Sequence, residues 1–563
     1  MSTSDKKSTH ILSYIFKVHE VKDIVISPGS RNAPLIVALA GDEYFNCYTI
    51  VDERSAGFFA MGIALEKGHP VALVCTSGSA LLNYAPAVSE AFYRHIPLIV
   101  VSADRPPEMI DQGDGQTIRQ NGALDNHLNY SCSLPSEVND EDDEWYVNRL
   151  INEAMINCHV DKRGPVHINV PFREPLYGKV RRRSEKVRVI DFMKPQVRLG
   201  KDQLRHLQDI WNSCNNVMIL LGEDGGSDEL KDQLKTLGDK GFAVVLTETL
   251  TNISGKNIFT CIDRMISTIT EEETAVFKPD LLITTGGAVV SKMIKTFLRN
   301  DPPKYHWHVS VTDPLMDTYK HLTHSIPVDL SVLLAELIPG LTIKKTRYFE
   351  FWKQRFELIT KYHDEFMKGI PWCDMKVFDV LNRELPEKYT VHWGNSTVVR
   401  YAQLFERFYK IRNFSNRGTS GIDGSTSTAV GAALASQKET LLVTGDLSFL
   451  YDSNGLWNKY LSSNLKIIVV NNGGGGIFRF IPGPADTNYL EEFFEASHSR
   501  SIQPLTEMYG LKYLCATNTE ELEKLMPGFF EDKETPAVME VITPAKDNAK
   551  VLKKYFEYLK EIK

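Results

Sequence analysis

Short apolar runs recur along the chain and are separated by longer stretches of helical period. In the first third, residues 21–27, 48–51, 71–76 and 98–102 predict strands, and residues 34–40, 54–67 and 79–93 predict the helices between them. Near-continuous apolar strands alternating with helices call for a parallel sheet covered on both faces. This segment ends near residues 171–175, and the basic run 179–186 next to it predicts a solvated linker between domains. A second series has strands at 217–221, 243–246, 281–284 and 308–311. A third begins near Pro371, with strands at 390–393, 441–444, 466–470 and 538–541. The expected fold is α/β: three tandem doubly wound domains with mainly parallel sheets, over residues 1–180, 190–345 and 365–563. No short repeat or heptad pattern interrupts it.

Composition narrows the function class. The 563 residues carry 64 Lys+Arg against 72 Asp+Glu, a net charge of −8. That balance argues against a general nucleic-acid or anionic-membrane binder. No apolar run approaches the roughly 18 residues of a membrane span, and the polar start of the chain lacks a signal-peptide core. Eight cysteines without a CxxC pair predict buried thiols in a reducing, cytoplasmic setting.

Candidate chemistry concentrates in the third series. Gly445-Asp446-Leu447-Ser448 follows one strand and Asn471-Asn472-Gly473-Gly474-Gly475-Gly476 follows the next. Both lie at the carboxyl ends of parallel strands, where open α/β sheets bind ligands. An Asp and an Asn one βα unit apart can bring hard oxygen ligands to one divalent cation, shared with a diphosphate. The glycines let backbone carbonyls and amides approach both ions. Either motif alone reads as a tight turn; the pair, with its spacing, is specific.

This Gly-Asp-x-Ser…Asn-Asn arrangement resembles the diphosphate-binding motif of thiamine-diphosphate-dependent enzymes. The resemblance implies the thiamine-diphosphate-binding fold, with a pyrimidine-binding, a central and a diphosphate-binding domain in that order. It implies Mg²⁺ or Mn²⁺ held by Asp446, the Asn472 side chain and the backbone carbonyl of Gly474. Ser396, Gly421, Ile422, Leu447, Ser448 and Ile477 would line the cofactor, Ile422 supporting its bent shape. It also asks for a glutamate against the aminopyrimidine ring, and Glu53 is the candidate, at a strand-to-helix turn. An apolar site would raise that carboxyl's pKa and favour proton exchange with the ring. Taken alone, Glu53 reads first as an acidic residue in a helix's first turn, and the downstream motif reverses that preference.

Further segments are similar to one family within that group. They are Ile26-Ser-Pro-Gly-Ser-Arg-Asn-Ala-Pro-Leu35, Ser102-Ala-Asp-Arg-Pro-Pro107, Gln116-Thr-Ile-Arg-Gln120, Gly394-Asn-Ser-Thr-Val-Val-Arg400, Ser415-Asn-Arg-Gly-Thr-Ser-Gly-Ile-Asp-Gly424 and Gly476-Ile-Phe478. They resemble the 2-succinyl-5-enolpyruvyl-6-hydroxy-3-cyclohexene-1-carboxylate synthases of menaquinone biosynthesis. The implied substrates are isochorismate and 2-oxoglutarate, and the implied assembly is a homodimer or dimer of dimers with the active site at the subunit interface. Two dicarboxylate substrates require several guanidinium forks. Arg31, Arg105, Arg400 and Arg417 supply them, with Ser30 and Gln116 as neutral donors, Lys292 from the central domain, and Phe478 and Ile481 as an apolar wall. Gly115 and Gly473 depart from the asparagines expected of a close relative, and Met293 stands where an arginine is expected after Lys292.

Other readings stay open at this level. Another thiamine-diphosphate decarboxylase or carboligase, such as an acetohydroxyacid synthase, would keep Glu53, Asp446 and Asn472 without needing the arginines. A silent cofactor-binding homologue is a third. His306 and His308 share one face of a strand, with His321 and His324 nearby, but lack a third evident zinc ligand. The glycines at 222, 225, 226, 286 and 287 read as turns. The acidic run 140–144 reads as a charge cluster at a helix start or in a loop.

Overall fold

The computed structural model describes residues 2–181, 187–223, 226–342, 346–480 and 483–561. Three parallel sheets of six, five and six strands succeed one another along the chain. Across the first, the strands run Asn46–Thr49, Asp23–Ile26, Val71–Cys75, Leu98–Asp104, Val166–Pro171 and Tyr130–Ser133. Across the third they run Arg412–Phe414, Thr390–Trp393, Thr440–Gly445, Leu465–Asn471, Ala537–Ile542 and Lys512–Ala516. Counted by appearance within each sheet, both orders are 2-1-3-4-6-5. The outer domains therefore share one topology, and each has its strand order reverse beside its first strand, where open sheets form a ligand crevice. The middle sheet runs Val244–Thr247, Val217–Leu221, Leu281–Thr285, Tyr305–Val309 and His324–Ile326.

Five helices bear on the candidate site and the contacts between domains: α1 (Glu53–Lys67), α2 (Ala85–Tyr93), α3 (Lys292–Asn300), α4 (Asp374–Glu384) and α5 (Ser425–Ala435). Helices α1 and α5 join the two outer domains. Helix α5 is built largely from small residues, α1 carries Gly57 and Gly62 among larger ones, and both are buried through their middles. A Cβ added to Gly62 would lie 2.0 Å from the Thr428 carbonyl oxygen, and one added to Gly431 would lie 2.0 Å from that of Phe59. The two backbones meet directly, and only glycine fits at these crossings.

Several expectations need correction. The helix expected over 79–93 is two, Ser79–Asn83 and α2, with Pro86 at the start of the second. The strand expected at 308–311 lies at Tyr305–Val309. The basic run at 179–186 is not simply a linker: Lys179–Arg181 pairs antiparallel with Ser2–Ser4, while 182–186 fall outside the described residues. Gly222 is a close approach rather than a turn, since a Cβ there would meet the Gly287 carbonyl oxygen at 2.1 Å; Gly225 lies outside the described residues. The acidic run does start a helix, with Asp140 accepting from the Asp143 N–H. The strand Val166–Pro171 escaped the apolar pattern because His167 and Asn169 are buried in it, both bonded to the Ser102 hydroxyl.

Candidate active site

In the N-terminal domain the candidate residues gather at the carboxyl edge of the sheet. The chain leaves Asp23–Ile26 into Ser30 and Arg31, and leaves Leu98–Asp104 into Arg105. Arg105 donates to the Ser77 hydroxyl at 2.9 Å and pairs with Asp114. Arg31 donates to the Phe172 carbonyl at 3.2 Å and pairs with Glu174 at 3.1 Å. Burial and the neighbouring charge of Arg105 lower the Arg31 pKa. Gln116 takes φ +55 and sits against Gly78, itself at φ +89. A non-glycine residue in the left-handed region stores strain of the kind found where a side chain is aimed at a ligand.

Glu53 is the first residue of α1, directly after its cap, Asp52, which accepts from the Ser55 N–H at 3.2 Å. It is half-buried. Burial pushes its carboxyl pKa up, against hydrogen bonds from its own backbone and Asn83, with the Asp52 charge adding to the rise. The group is thus set to hold a proton closer to neutral pH than an exposed glutamate.

The C-terminal set occupies the matching edge of the third sheet. Asp446, nearly fully buried, comes directly after Thr440–Gly445 and accepts from Leu447 N–H on one oxygen and from Gly473 and Gly474 N–H, at 2.8 and 2.9 Å, on the other. Burial raises its pKa against those donors and His498, whose Nε2 stands 3.4 Å away. Gly473 and Gly474 have φ +77 and +146. The first value is open to asparagine as well as glycine, which accounts for glycine standing there. The Asp446 carboxylate, the Asn472 amide oxygen and the Gly474 carbonyl, at two neighbouring strand ends, are oxygen donors of the kind that could hold Mg²⁺ or Mn²⁺.

Beside it, the Asn395 amide donates to the carbonyls of Gly421 (2.6 Å) and Asn416 (2.7 Å) and accepts from Arg417 Nη1 at 2.8 Å. The Ser448 hydroxyl donates to the Ile422 carbonyl at 2.6 Å. Together they hold Ile422 with 42% of its surface exposed, an apolar side chain presented on a polar loop. Ser396 takes φ +69, and Arg400, one turn further, donates to Val290 O of the central domain at 3.3 Å. Ile477 and Phe478 come after the glycine run, with the Phe478 ring 5.7 Å from that of Phe494.

The structure brings together Ser30, Arg31, Arg105 and Gln116 in one domain, and Ser396, Arg417, Gly421, Ile422, Asp446, Leu447, Ser448, Asn472 and Gly474 in the other. Among the described residues, no hydrogen bond or ion pair joins Glu53 to the Asp446 set. Ile481 lies outside the described residues. Lys292 begins α3 and is exposed in a groove with Met293, Thr296, Phe556 and Lys560. Lys295, one turn on, is half-buried within the electrostatic reach of Arg400 and Arg417. His306 and His308 both hydrogen-bond the Thr284 hydroxyl at 2.9 Å, and burial lowers His306 to about 4. Sequence reasoning missed Glu90, Asn395 and Asp374. Of these, only Asn395 lies within a sequence motif; the others are single acidic residues near or in helices, without a local signal.

Comparison with known proteins agrees with this geometry. The model of the thiamine pyrophosphate enzyme N-terminal binding domain matches residues 6–124, and that of the C-terminal binding domain matches 394–541. A 2-succinyl-5-enolpyruvyl-6-hydroxy-3-cyclohexene-1-carboxylate synthase of Porphyromonas gingivalis is 42% identical, covering 99% of this chain and 98% of its own. Synthases of the same name from Flavobacterium psychrophilum and Bacteroides thetaiotaomicron are 44% and 40% identical over 95% and 99% of this chain, and 96% and 100% of theirs. With both binding-domain models matched and likeness running nearly end to end, the chain belongs to the 2-succinyl-5-enolpyruvyl-6-hydroxy-3-cyclohexene-1-carboxylate synthase family of thiamine-diphosphate-dependent enzymes.

Proposed function

We propose that this chain decarboxylates 2-oxoglutarate and adds the remaining succinyl unit to isochorismate, releasing carbon dioxide and the 2-succinyl-5-enolpyruvyl-6-hydroxy-3-cyclohexene-1-carboxylate of menaquinone biosynthesis. The observation that carries this reading is the set Arg31, Arg105, Arg400 and Arg417, held at the carboxyl edges of both outer sheets beside the cofactor motifs. Bound thiamine diphosphate supplies the electron sink for decarboxylation and carbon–carbon bond formation. Glu53, its pKa raised by burial, exchanges a proton at its carboxyl oxygen with the aminopyrimidine ring. Asp446, Asn472 and the Gly474 carbonyl hold Mg²⁺ or Mn²⁺ against the diphosphate. The guanidinium groups bind and orient the substrate carboxylates. Ile422, Ile477, Phe478 and Ile481 exclude water from the reacting carbons. Ser30, Ser396 and Gln116 add neutral hydrogen bonds, and α3 contributes a cation, Lys292 or its neighbour Lys295.

We further propose a homodimer, or a dimer of dimers, in which Glu53 of one subunit faces the Asp446 set of the other. Val51 and Leu82 are exposed beside Glu53, as is Ile422 on the diphosphate side. Exposed apolar side chains suit surfaces covered on assembly. Six of the eight cysteines are buried, which supports a reducing, cytoplasmic location.

The direct test incubates the protein with thiamine diphosphate, Mg²⁺ and 2-oxoglutarate, with and without isochorismate, while carbon dioxide and isochorismate are followed. Equal, cofactor-dependent consumption of both substrates is expected. Decarboxylation indifferent to isochorismate would refute the reading.

A further inference from the structure

Asn472 can ligate a cation only through Oδ1, since its Nδ2 carries two hydrogens and no free lone pair. A surface amide rotates freely between two orientations, and one of them turns the NH₂ group toward the cation. Here Nδ2 donates to Asp374 Oδ2 at 2.9 Å. Asp374 is the first residue of α4 and is 1% exposed. Its other oxygen accepts from the Thr543 hydroxyl at 2.5 Å, and its backbone N–H donates to Asn548 Oδ1 at 2.8 Å. The Thr543 bond to the carboxylate and the Asn548 bond to the backbone hold the residue independently of Asn472, so the carboxylate does not follow if the amide turns.

From this geometry we infer that Asp374 is a positioning residue: it captures the Asn472 amide nitrogen and leaves the amide oxygen as the ligand for the cation. The inference rests on the reading of Asp446, Asn472 and Gly474 as the cation site. An acceptor-only carboxylate selects one of the two amide orientations, because the flipped amide would set oxygen against oxygen. Outer partners of this kind orient ligands, and their loss lowers metal affinity. Asp374 lies 98 positions before Asn472 in sequence and reaches it from a helix, while the motif itself sits on strand ends. The cation site is thereby tied to the packing of α4.

The test measures Mn²⁺ binding to the full chain in the presence of thiamine diphosphate, read from the electron paramagnetic resonance signal of free Mn²⁺. Asp374→Leu should weaken binding by about 10–100-fold, while Asp374→Asn, whose amide oxygen can still accept from Asn472, should stay close to wild type. Unchanged Mn²⁺ affinity in a folded Asp374→Leu protein would overturn the inference, as would an equal loss in Asp374→Asn. The exchange Asp374→Asn/Asn472→Asp restores the hydrogen bond with its direction reversed. It should bind Mn²⁺ more tightly than Asn472→Asp alone, where two carboxylates face each other; the opposite order overturns the inference even if Asp374→Leu does not fold. Wild-type protein that fails to bind Mn²⁺ with the cofactor would defeat the cation site itself, and the inference with it.

Discussion

Glu90 and Thr419 come from different domains, yet Glu90 Oε2 accepts both the Thr419 backbone N–H, at 2.7 Å, and its hydroxyl, at 2.8 Å. Oε1 takes the neighbouring Gly418 N–H at 2.8 Å. Arg94, just past the end of α2, lies 3.9 Å from Glu90 and 2.5 Å from Glu223 of the central domain. One carboxylate, 1% exposed, thus holds the loop that carries Arg417 and Ile422 and faces a guanidinium shared with the central domain. Removing one partner of a buried, hydrogen-bonded pair leaves the others uncompensated. Glu90→Ala should therefore destabilise the metal-free protein by about 3–5 kcal/mol and weaken thiamine diphosphate binding. Denaturant midpoints and cofactor titration would check it; a stable variant with wild-type cofactor affinity would show that the loop is held by other contacts.

The direct meeting of α1 and α5 makes a second prediction. A methyl at Gly62 or Gly431 has no room beside the facing carbonyl oxygens, so the helices must separate. Each Gly→Ala change there should cost about 1–3 kcal/mol or more. Gly369 provides the contrast: it has no atom within 4 Å of an added Cβ and a φ of −108°. Gly369→Ala should be neutral or stabilising by up to about 1 kcal/mol. Equal effects at all three positions in chemical denaturation would refute the close approach.

Glu248 predicts how stability responds to pH. Its carboxylate, 1% exposed, accepts from the Val290 and Ser291 N–H groups at 2.6 and 2.7 Å, just before α3. Burial pushes its pKa from the ordinary 4.5 up to about 7, despite those two donors. The folded state therefore binds this proton more tightly than the unfolded chain does. Its contribution to stability is full below the unfolded value and is lost as pH rises toward 7. Glu248→Gln should flatten the stability profile across that interval, measured as denaturant midpoints from about pH 4.5 to about pH 7.5, the span between the two values. A profile with the wild-type slope would assign the proton linkage to other groups.

Much of the architecture was legible because buried parallel strands are written as apolar runs, as at Val71–Cys75 and Leu465–Asn471, both fully buried. The edge strands Tyr130–Ser133 and Lys512–Ala516 were not, since they are half-exposed and mixed in composition. The candidate residues that sequence could offer sit in glycine-rich loops after strands, as Asp446 and Asn472 do. Asp374 and Glu90 were hidden for the opposite reason. Each acts across a domain or from a distant helix, and a lone acid near or in a helix carries no sign of what the fold sets against it. Local pattern also carries no sign of how the two sets of candidate residues sit relative to each other.

The same distinction separates two lysines on α3. Lys292 is the lysine that the sequence resemblance picks out, but it is exposed among Met293, Thr296, Phe556 and Lys560. Lys295 donates to the Val289 carbonyl at 2.5 Å, and its pKa is lowered by burial, opposed by Glu248 and assisted by Arg417 and Arg400. Cations pressed together from two domains raise the local potential for a dicarboxylate, whose arrival relieves their repulsion. A charge-assisted hydrogen bond is worth about 1.5–3 kcal/mol, roughly 10–100-fold in kcat/KM at about 1.4 kcal/mol per tenfold. Lys295→Ala should show a loss in that range, as should Arg400→Ala, while Lys292→Ala should change kcat/KM far less. Steady-state kinetics with each substrate varied in turn decides between them. If Lys292→Ala carries the loss and Lys295→Ala is silent, then the substrate reaches the start of α3, and the carboxylate lies outside the Arg400–Arg417 cluster.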